Sequence, residues 1–283
     1  MLKKLYPVIL TLLLVYFSFY YTNKVVSLIK SKDPIMVKID KEKNKYEIKA
    51  ENAKVDNKNV TPGRNGKVVN VNESFKKMKS YGEYNEELYV FDEVEPTVSM
   101  DDYYDKYINF GRNDSNKVSL VFKVGKNDSI DDILKVLKNN NVSATLFLDG
   151  MFLKNNKDSI NKAIKNGNQV ELLSYDGSYD KLYFDDSLHK LFNLTKKEPK
   201  FCYADYDKKE VLELCDRLGL HTIIPTINTS INSFSLVKEK LQSGSIISLK
   251  SNSDNLNTII NYIKQRGYNL VTLDDLLLEE LEK

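Results

Sequence analysis

Val118-Ser-Leu-Val-Phe-Lys-Val-Gly-Lys126 is a mostly apolar stretch that ends in a glycine turn. A short apolar run bounded by a turn is typical of a strand that is buried on both faces. Further along the chain, Gly167-Asn-Gln-Val-Glu-Leu-Leu-Ser-Tyr-Asp-Gly177 has the same form, a short apolar strand followed by a polar turn. The fold prediction starts from these two stretches.

The residues around them alternate between strand-like and helix-like patterns. Ile130, Ile133, Leu134 and Leu137 recur at helical spacing and predict a helix with one buried face, capped by Asp128 or Ser129. Other predicted helices end before a glycine, a frequent helix terminator: Asp158–Asn166, Glu210–Leu218 and Asn255–Arg266. The predicted strands are Val118–Val124, Val142–Leu148, Gln169–Leu173, His221–Ile224, Gly244–Leu249 and Asn269–Thr272. This alternation predicts an α/β fold with a parallel sheet covered on both faces, or a barrel.

The N-terminus carries an uncharged and mostly apolar run, Leu5–Asn23, which is 19 residues long. That length is close to what a helix needs to cross a bilayer. The run ends in aromatic residues, as at a membrane interface, and a cleaved signal peptide would end in small residues instead. We therefore predict an uncleaved signal anchor over residues 1–30. Lys3 and Lys4 favour a cytoplasmic N-terminus, so the bulk of a single-pass chain would lie outside the cell membrane. Three lysines on the other flank oppose that orientation: Lys24, Lys30 and Lys32.

Residues 31–115 have weaker signals and predict a small β-containing region or linker. Met36–Asp40 and Lys45–Lys49 alternate between apolar and polar residues, a pattern that favours edge strands or a stalk. Val68–Met78 predicts a strand followed by a short helix that begins at Asn72 or Ser74.

Composition excludes one class of partner and leaves the state of the cysteines open. The net charge is +2 and no basic cluster is dense, so we expect no nucleic-acid binding. Cys202 and Cys215 could form a disulfide outside the cell. The favoured interpretation is two unpaired core residues, since Cys215 falls on the apolar face of a predicted helix.

Six segments resemble, in order, the motifs of the polysaccharide deacetylase family, the NodB-type carbohydrate esterases: Val118–Gly125, Asn141–Leu148, Gly167–Gly177, Glu198–Tyr206, Gly244–Lys250 and Gly267–Leu276. The resemblance assigns a deacetylase-like domain to residues 116–283. It implies a distorted (β/α) barrel whose site lies at the carboxyl ends of the strands.

The family hydrolyses acetyl groups on sugars with a divalent metal held by one aspartate and two histidines, a second aspartate as base and a histidine as acid. The resemblance places Lys123 at the base position and Val124 at the metal-binding aspartate. Leu173 and Gly177 stand at the two histidines, and Lys250 stands at the acid. A catalytic zinc needs about three protein ligands, so the resemblance predicts no catalytic residues, no metal and no cofactor.

Other side chains are candidates for a cleft at the strand ends. We predict that a glycan would meet Lys123, Asp149, Asp176, Tyr206 and Lys250 at this rim. Lys123 could fill the place of the metal by pairing with Asp176 or Asp149. A weak oxygen-ligated cation site is the alternative: Asp149, Asp176, Asp180 and Asp205. His189, in a polar loop, and His221, at a strand start, are interpreted as ordinary surface or packed residues. Three tyrosines, interpreted as packing, could instead stack on sugars: Tyr103, Tyr104 and Tyr107.

The leading hypothesis is therefore a membrane-anchored, extracytoplasmic pseudoenzyme that binds a cell-envelope polysaccharide such as peptidoglycan, or an envelope protein. One alternative is an active hydrolase that cleaves the C–N amide bond of acetylated sugars through a displaced site. Another is a structural scaffold of an envelope complex. Fold alone does not choose between them.

Overall fold

The computed structural model describes residues 2–229, 234–252 and 254–281. Contacts within the chain form two compact units, Met1–Ala50 with Asn65–Glu95, and Glu51–Arg64 with Pro96–Lys283. The three-part domain division remains a prediction. The side chains of Lys3 and Lys4, on which the predicted membrane orientation rests, lie outside the described part of the chain.

The helices are α1 (Leu2–Ser31), α2 (Pro34–Glu42), α3 (Val71–Tyr81), α4 (Asp131–Asn139), α5 (Gly150–Asn155), α6 (Lys157–Lys165), α7 (Lys181–Thr195), α8 (Lys209–Arg217), α9 (Phe234–Lys240), α10 (Leu256–Gln265) and α11 (Leu273–Leu276). The strands are β1 (Lys54–Val55), β2 (Val60–Thr61), β3 (Gly66–Val69), β4 (Phe91–Val94), β5 (Tyr107–Ile108), β6 (Lys117–Val124), β7 (Thr145–Leu148), β8 (Gln169–Leu172), β9 (Phe201–Tyr203), β10 (His221–Ile223), β11 (Ile227–Asn228), β12 (Ile246–Lys250) and β13 (Asn269–Val271).

The first unit contains α1, α2, α3 and the antiparallel pair β3–β4. The predicted strand at Met36–Asp40 is wrong, because this segment lies inside α2. Asp33 caps α2 by accepting a hydrogen bond from the amide of Ile35, and a proline occupies the first turn. Met36 and Ile39 are buried and lie three residues apart, a spacing typical of one face of a helix. A run this short also fits the alternation of a strand, so the pattern alone did not distinguish the two.

The start of α3 also differs from its prediction. Asn70 caps this helix by accepting a hydrogen bond from the amide of Glu73, so neither Asn72 nor Ser74 begins it. Gly82 ends the helix with a φ of 107°. A cap residue must lie just outside the first turn, and Asn70 lies two positions before the first of the two predicted candidates.

The second unit is built on two parallel sheets. One has the order β11-β12-β6-β7-β8, and the other has the order β5-β10-β9. On β6, the first residues pair with β13 and the last residues pair with β7, while β12 pairs along most of its length. The carboxyl ends of the parallel strands therefore share one edge of each sheet.

Alternate residues of these strands point to opposite faces of the sheets and pack in two separate clusters. Residues on one face pack against the helices, among them Leu120, Phe122, Val124, Leu146 and Leu148. Residues on the other face of both sheets form a single inner cluster, which includes Val121, Phe147, Phe201, Tyr203 and Ile223. Because this cluster draws on both sheets, the two sheets enclose a common interior. The predicted α/β fold is confirmed, and the shared interior is compatible with the distorted barrel.

The glycine helix stops are also confirmed, with Gly167, Gly219 and Gly267 in the left-handed region. One long helix was missed: α7 buries only Phe184, Ser187 and Leu191 and so has a narrow apolar face. His189 is exposed on α7, and its placement in a loop was wrong.

The two cysteines form a disulfide between β9 and α8, so the favoured interpretation of two unpaired residues was wrong. Cys202 and Cys215 are both fully buried, as predicted for core positions. Their Cα atoms lie 6.3 Å apart, within the range that a disulfide spans. The packing of α8 on β9, which the sequence does not display, brings them together.

Candidate functional site

An open cleft of about 760 Å³ lies at the carboxyl ends of β6, β9 and β12. We call it the mouth cleft, and its lining includes Lys123, Leu173, Asp205, Tyr206, Ser248 and Lys250. Ligands of parallel α/β proteins bind at this edge because the loops that follow the strands converge there. The mouth cleft is therefore the candidate functional site.

An ion pair lines the mouth cleft. The Nζ atom of Lys123 lies 2.6 Å and 2.8 Å from the two carboxylate oxygens of Asp205. The exposed fractions of the two side chains are 35% and 37%, so the pair is half-buried. Lys123 thus has an anionic partner inside the cleft.

The partner is not the one predicted for Lys123. Asp149 is buried and caps α5, where its carboxylate accepts a hydrogen bond of 2.8 Å from the amide of Met151. Asp176 lies on an exposed turn and pairs with Lys126 at 2.5 Å. Asp205 reaches Lys123 because it closely follows β9, which lies across the interior from β6.

Further donors surround Asp205. The Tyr203 hydroxyl lies 2.7 Å from the Ser248 hydroxyl and 3.3 Å from the Asp205 carboxylate. The side-chain amide of Asn228 donates to the backbone carbonyl of Asp205 at 3.2 Å. Burial raises the pKa of Asp205, but its hydrogen bond and attraction to Lys123 outweigh burial and hold that pKa below its usual value. Asp205 is therefore a carboxylate at neutral pH.

The five positions assigned by the motif comparison do not all reach the mouth cleft. Lys123, Leu173 and Lys250 line it, and Lys250 lies directly beside Lys123 in the register of β12 and β6. Val124 is fully buried on the opposite face of β6, among side chains that pack against helices. Lys123 and Val124 point in opposite directions because neighbouring residues of a strand face opposite sides of the sheet.

Gly177 is also outside the cleft lining. It lies at the tip of a tight turn in which Tyr175 and Ser178 exchange backbone hydrogen bonds. Its φ is +75°, and that of Asp176 before it is +50°. This left-handed geometry suits an Asp-Gly hairpin turn and is uncommon for other residues.

The donor set of the cleft does not fit a catalytic metal. Within residues 2–229, 234–252 and 254–281, no group of three or more His, Cys, Asp or Glu side chains could hold an ion. The cleft offers two carboxylates. Asp205 is bound to Lys123, and Asp128 accepts a hydrogen bond of 2.7 Å from the amide of Gly125. Catalytic zinc sites use about three protein ligands and an open position.

The four aspartates of the alternative cation site are not brought together. Each has its own partner: Asp149 with the Met151 amide, Asp176 with Lys126, Asp180 with the Leu182 amide and Asp205 with Lys123. Two of them are helix caps, a common use of aspartate. The hypothesis of an oxygen-ligated site built from these residues is therefore wrong.

The remaining candidates separate into cleft and packing residues. Tyr206 lines the mouth cleft and is 61% exposed. His221 is buried, stacks on Tyr104 and places its Nε2 atom 2.8 Å from an Asp101 oxygen. Tyr107 is buried in β5, and Tyr103 packs against the inner cluster. His221 and Tyr107 are thus packed in the interior, whereas Tyr103 and Tyr104 are half-buried and their interpretation as packing stays a prediction.

Sequence reasoning missed four polar residues of the cleft lining, Asn228, Thr229, Ser248 and Ser251. Ser248 lies between two apolar residues on β12, and the alternation of side chains along a strand could have predicted that it points to the interior. Asn228 and Thr229 lie at the end of a two-residue strand, which is too short to leave a pattern.

Comparison with known proteins relates the chain to carbohydrate esterases. Residues 111–221 match the family model for polysaccharide deacetylase. An uncharacterized Bacillus subtilis protein, YlxY, is 27% identical to the chain, and the alignment covers 90% of this chain and 86% of YlxY.

Solved structures show the same relationship. BA3943 from Bacillus anthracis, described as a CE4 family pseudoenzyme, is 25% identical and superposes with a TM-score of 0.65, over 89% of this chain and 97% of that one. A BA3943 mutant with restored enzymatic activity superposes equally well, with 25% identity over 88% of this chain and 100% of that chain and a TM-score of 0.65. The peptidoglycan N-acetylglucosamine deacetylase Bc1960 is 21% identical, with a TM-score of 0.56 over 66% of this chain and 99% of that chain, and shares the fold.

Proposed function

This chain carries a divergent polysaccharide deacetylase domain of carbohydrate esterase family 4, and from that premise we propose that it is a membrane-anchored glycan-binding protein without deacetylase activity. The proposed ligand is a cell-envelope polysaccharide of the peptidoglycan type, held in the mouth cleft. The Lys123–Asp205 ion pair is the observation that carries this proposal.

The ion pair is incompatible with the family's chemistry at this position. Acetyl hydrolysis needs a base that takes a proton from a metal-bound water, and a charged ammonium cannot accept one. Asp205 cannot replace the missing ligands, because Lys123 neutralises its charge and occupies both of its oxygens. The cleft nevertheless keeps hydroxyl, amide and carboxylate groups that can hydrogen-bond to sugar hydroxyls.

Two features support a location outside the cytoplasm. Leu10–Ser31 within α1 is long and apolar enough to cross a membrane, with a mean hydropathy of 1.4 in its most apolar window. The Cys202–Cys215 disulfide suits an oxidising compartment. Family members act on cell-wall polysaccharide, so both features agree with a site at the envelope.

The proposal is tested with the full-length chain in nanodiscs and N-acetylglucosamine hexamers. We expect saturable binding by calorimetry and no acetate release above a protein-free blank, with or without added Zn²⁺. Lys123→Met should weaken binding, because it removes a donor and leaves the Asp205 carboxylate unpaired in the cleft. Lys200→Met, which removes an ion pair with Asp274 away from the cleft, is the matched control and should bind like the wild type.

Two results would overturn the proposal. Zinc-dependent acetate release together with stoichiometric bound metal would show an active hydrolase with a displaced site. Absence of glycan binding, with a protein partner that co-purifies at fixed stoichiometry, would show a scaffold.

A further inference from the structure

Two tyrosines form an exposed stack next to the mouth cleft. Tyr175 follows β8 and Tyr183 lies in the first turn of α7, and their rings are stacked with centroids 5.2 Å apart and an interplanar angle of 15°. Tyr183 remains 51% exposed, and its neighbour Leu182 is 74% exposed. Tyr175 covers one face of the Tyr183 ring, so the exposure belongs to the other face and the ring edge.

The stack is held in place by its surroundings. The Tyr175 ring lies against the start of α5, where a Cβ atom at Gly150 would come within 2.2 Å of it. The backbone of Tyr175 exchanges hydrogen bonds of 3.1 Å and 2.9 Å with Ser178. Asp176 in the same turn pairs with Lys126. Tyr183 therefore rests on a fixed support, which limits the entropy lost when a ligand stacks on it.

The stack adjoins the mouth cleft through two chain segments. Leu173 lines the cleft, and Tyr175 lies two residues further along the same segment. Gly125 lines the cleft as well, and the next residue, Lys126, reaches Asp176 beside the stack. A ligand longer than the cleft can pass over this rim without leaving the protein surface.

We infer that the open face of Tyr183 is a sugar-stacking subsite that binds one pyranose ring of a neutral polysaccharide, beyond the sugar unit in the mouth cleft. This inference rests on the proposed glycan binding. A pyranose presents a face of C–H groups that matches an aromatic face, while its hydroxyl groups stay in water.

Charge on the rim favours a neutral sugar chain over other ligands. Two ion pairs beside the stack cancel, Lys126 with Asp176 and Lys181 with Asp185 at 2.9 Å, and the exposed Asp180, which caps α7, adds a negative charge. Such a surface offers no net attraction for a phosphate-rich polymer. The same charged groups disfavour insertion of Leu182 and Tyr183 into lipid, because the charges would be carried into the membrane together with these two side chains.

The test uses the length of the ligand. The full-length chain in nanodiscs is titrated with dimers and hexamers of N-acetylglucosamine, and we expect the hexamer to reach from the cleft onto the stack and the dimer to occupy the cleft alone. Tyr183→Ala should weaken hexamer binding about five- to tenfold and leave dimer binding unchanged. Tyr81→Ala, at another tyrosine that is 60% exposed, is the matched control and should change neither.

A second measurement reports on the ring itself. The chain contains no tryptophan, so Tyr183→Trp introduces a single indole on the open face, and its emission can be excited selectively over that of the remaining tyrosines. Hexamer binding should change the emission of this variant and dimer binding should not, while the emission of Tyr81→Trp should respond to neither.

The outcomes separate this inference from the proposed function. Equal hexamer affinity of the wild type and Tyr183→Ala, with no emission change in Tyr183→Trp, overturns the subsite and leaves glycan binding in the cleft intact. Failure of the wild type to bind either oligomer overturns the proposed function, and the subsite with it. Emission of Tyr183→Trp that is already blue-shifted in nanodiscs and insensitive to the hexamer overturns the subsite in favour of lipid contact.

Discussion

A lysine ammonium at the end of β6 cannot act as a base while it is charged, and Lys123 carries that charge into an ion pair with Asp205. At the scale of single residues, a salt bridge therefore lies in the mouth cleft at the position that the motif comparison assigns to the family's base. The neighbouring residue, Val124, is fully buried against the helices. Returning an aspartate to that position would bury a carboxylate without a partner, which is strongly unfavourable.

Replacing Lys123 with methionine should lower the free energy of unfolding at neutral pH by about 0.5–1 kcal/mol, a value reduced for the partial exposure of the pair. The pKa of Asp205 lies below its usual value in the folded chain. The stabilisation that the charged Asp205 gives the fold is therefore present above the unfolded pKa and is lost as the pH falls through the folded pKa. The difference between variant and wild type should therefore shrink below about pH 4.

Urea denaturation at about pH 7 and about pH 3 measures that difference on either side of the ordinary carboxyl range. Lys126→Met is the control, since its ion pair with Asp176 is about half exposed on both sides and should contribute nothing measurable. Identical unfolding of Lys123→Met and wild type at neutral pH would contradict a stabilising role of the cleft ion pair.

At the scale of secondary-structure elements, a side chain joins the two sheets. The Glu171 carboxylate on β8 accepts hydrogen bonds from the amides of Lys200 and Phe201, at 3.1 Å and 3.2 Å, where β9 begins. Gln169 donates to the same carboxylate at 2.8 Å. Glu171 is buried, and burial raises its pKa to about 8 although these three donors oppose the shift. The junction between β8 and β9 thus depends on an ionisable group.

Stability should therefore depend on pH through Glu171. The pKa of Glu171 is raised above the unfolded value near 4.5. The stabilisation that protonated Glu171 gives the fold is therefore fully present below pH 4.5 and is lost as the pH rises through about 8. We expect the free energy of unfolding to fall by about 3 kcal/mol between about pH 5 and about pH 8 in the wild type. Glu171→Gln should remove most of this slope, because glutamine does not titrate.

Urea denaturation across this pH range checks the slope. Glu239→Gln, on the exposed surface of α9, is the matched control and should keep the slope of the wild type. A Glu171→Gln variant with an unchanged slope would show that other groups cause the pH dependence.

At the scale of the whole molecule, an apolar N-terminal helix and a buried disulfide occur in the same chain. Leu10–Ser31 satisfies the length and hydropathy of a membrane span. Cys202 and Cys215 are the only cysteines of the chain, and both are in the disulfide. The proposed location, on the membrane with the deacetylase-like domain outside, accounts for both features.

The full-length chain should sediment with membranes, and its cysteines should be oxidised in intact cells. Labelling of denatured protein with a maleimide polymer should add mass only after reduction. A chain without residues 1–30 should be released into the soluble fraction. Thiols that label without a reductant would contradict an extracytoplasmic domain.

Much of the fold was predictable because its signals are local. The apolar runs of β6 and β12 and the helical spacing in α4 each follow from a few consecutive residues. Local signals failed where two periodicities fit the same short run, as at Met36–Asp40, which forms part of α2. They also failed for α7, whose apolar face is too narrow to stand out.

The sequence by itself determined that Val124, Leu173 and Gly177, the positions that the resemblance assigns to the metal ligands, carry no side-chain atom that binds zinc. Only the tertiary structure decided what occupies the cleft instead. Lys123 and Asp205 are 82 positions apart and meet because two strands end on the same side of a shared interior. Residue chemistry is a property of each side chain alone, whereas pairing depends on how distant strands are packed together.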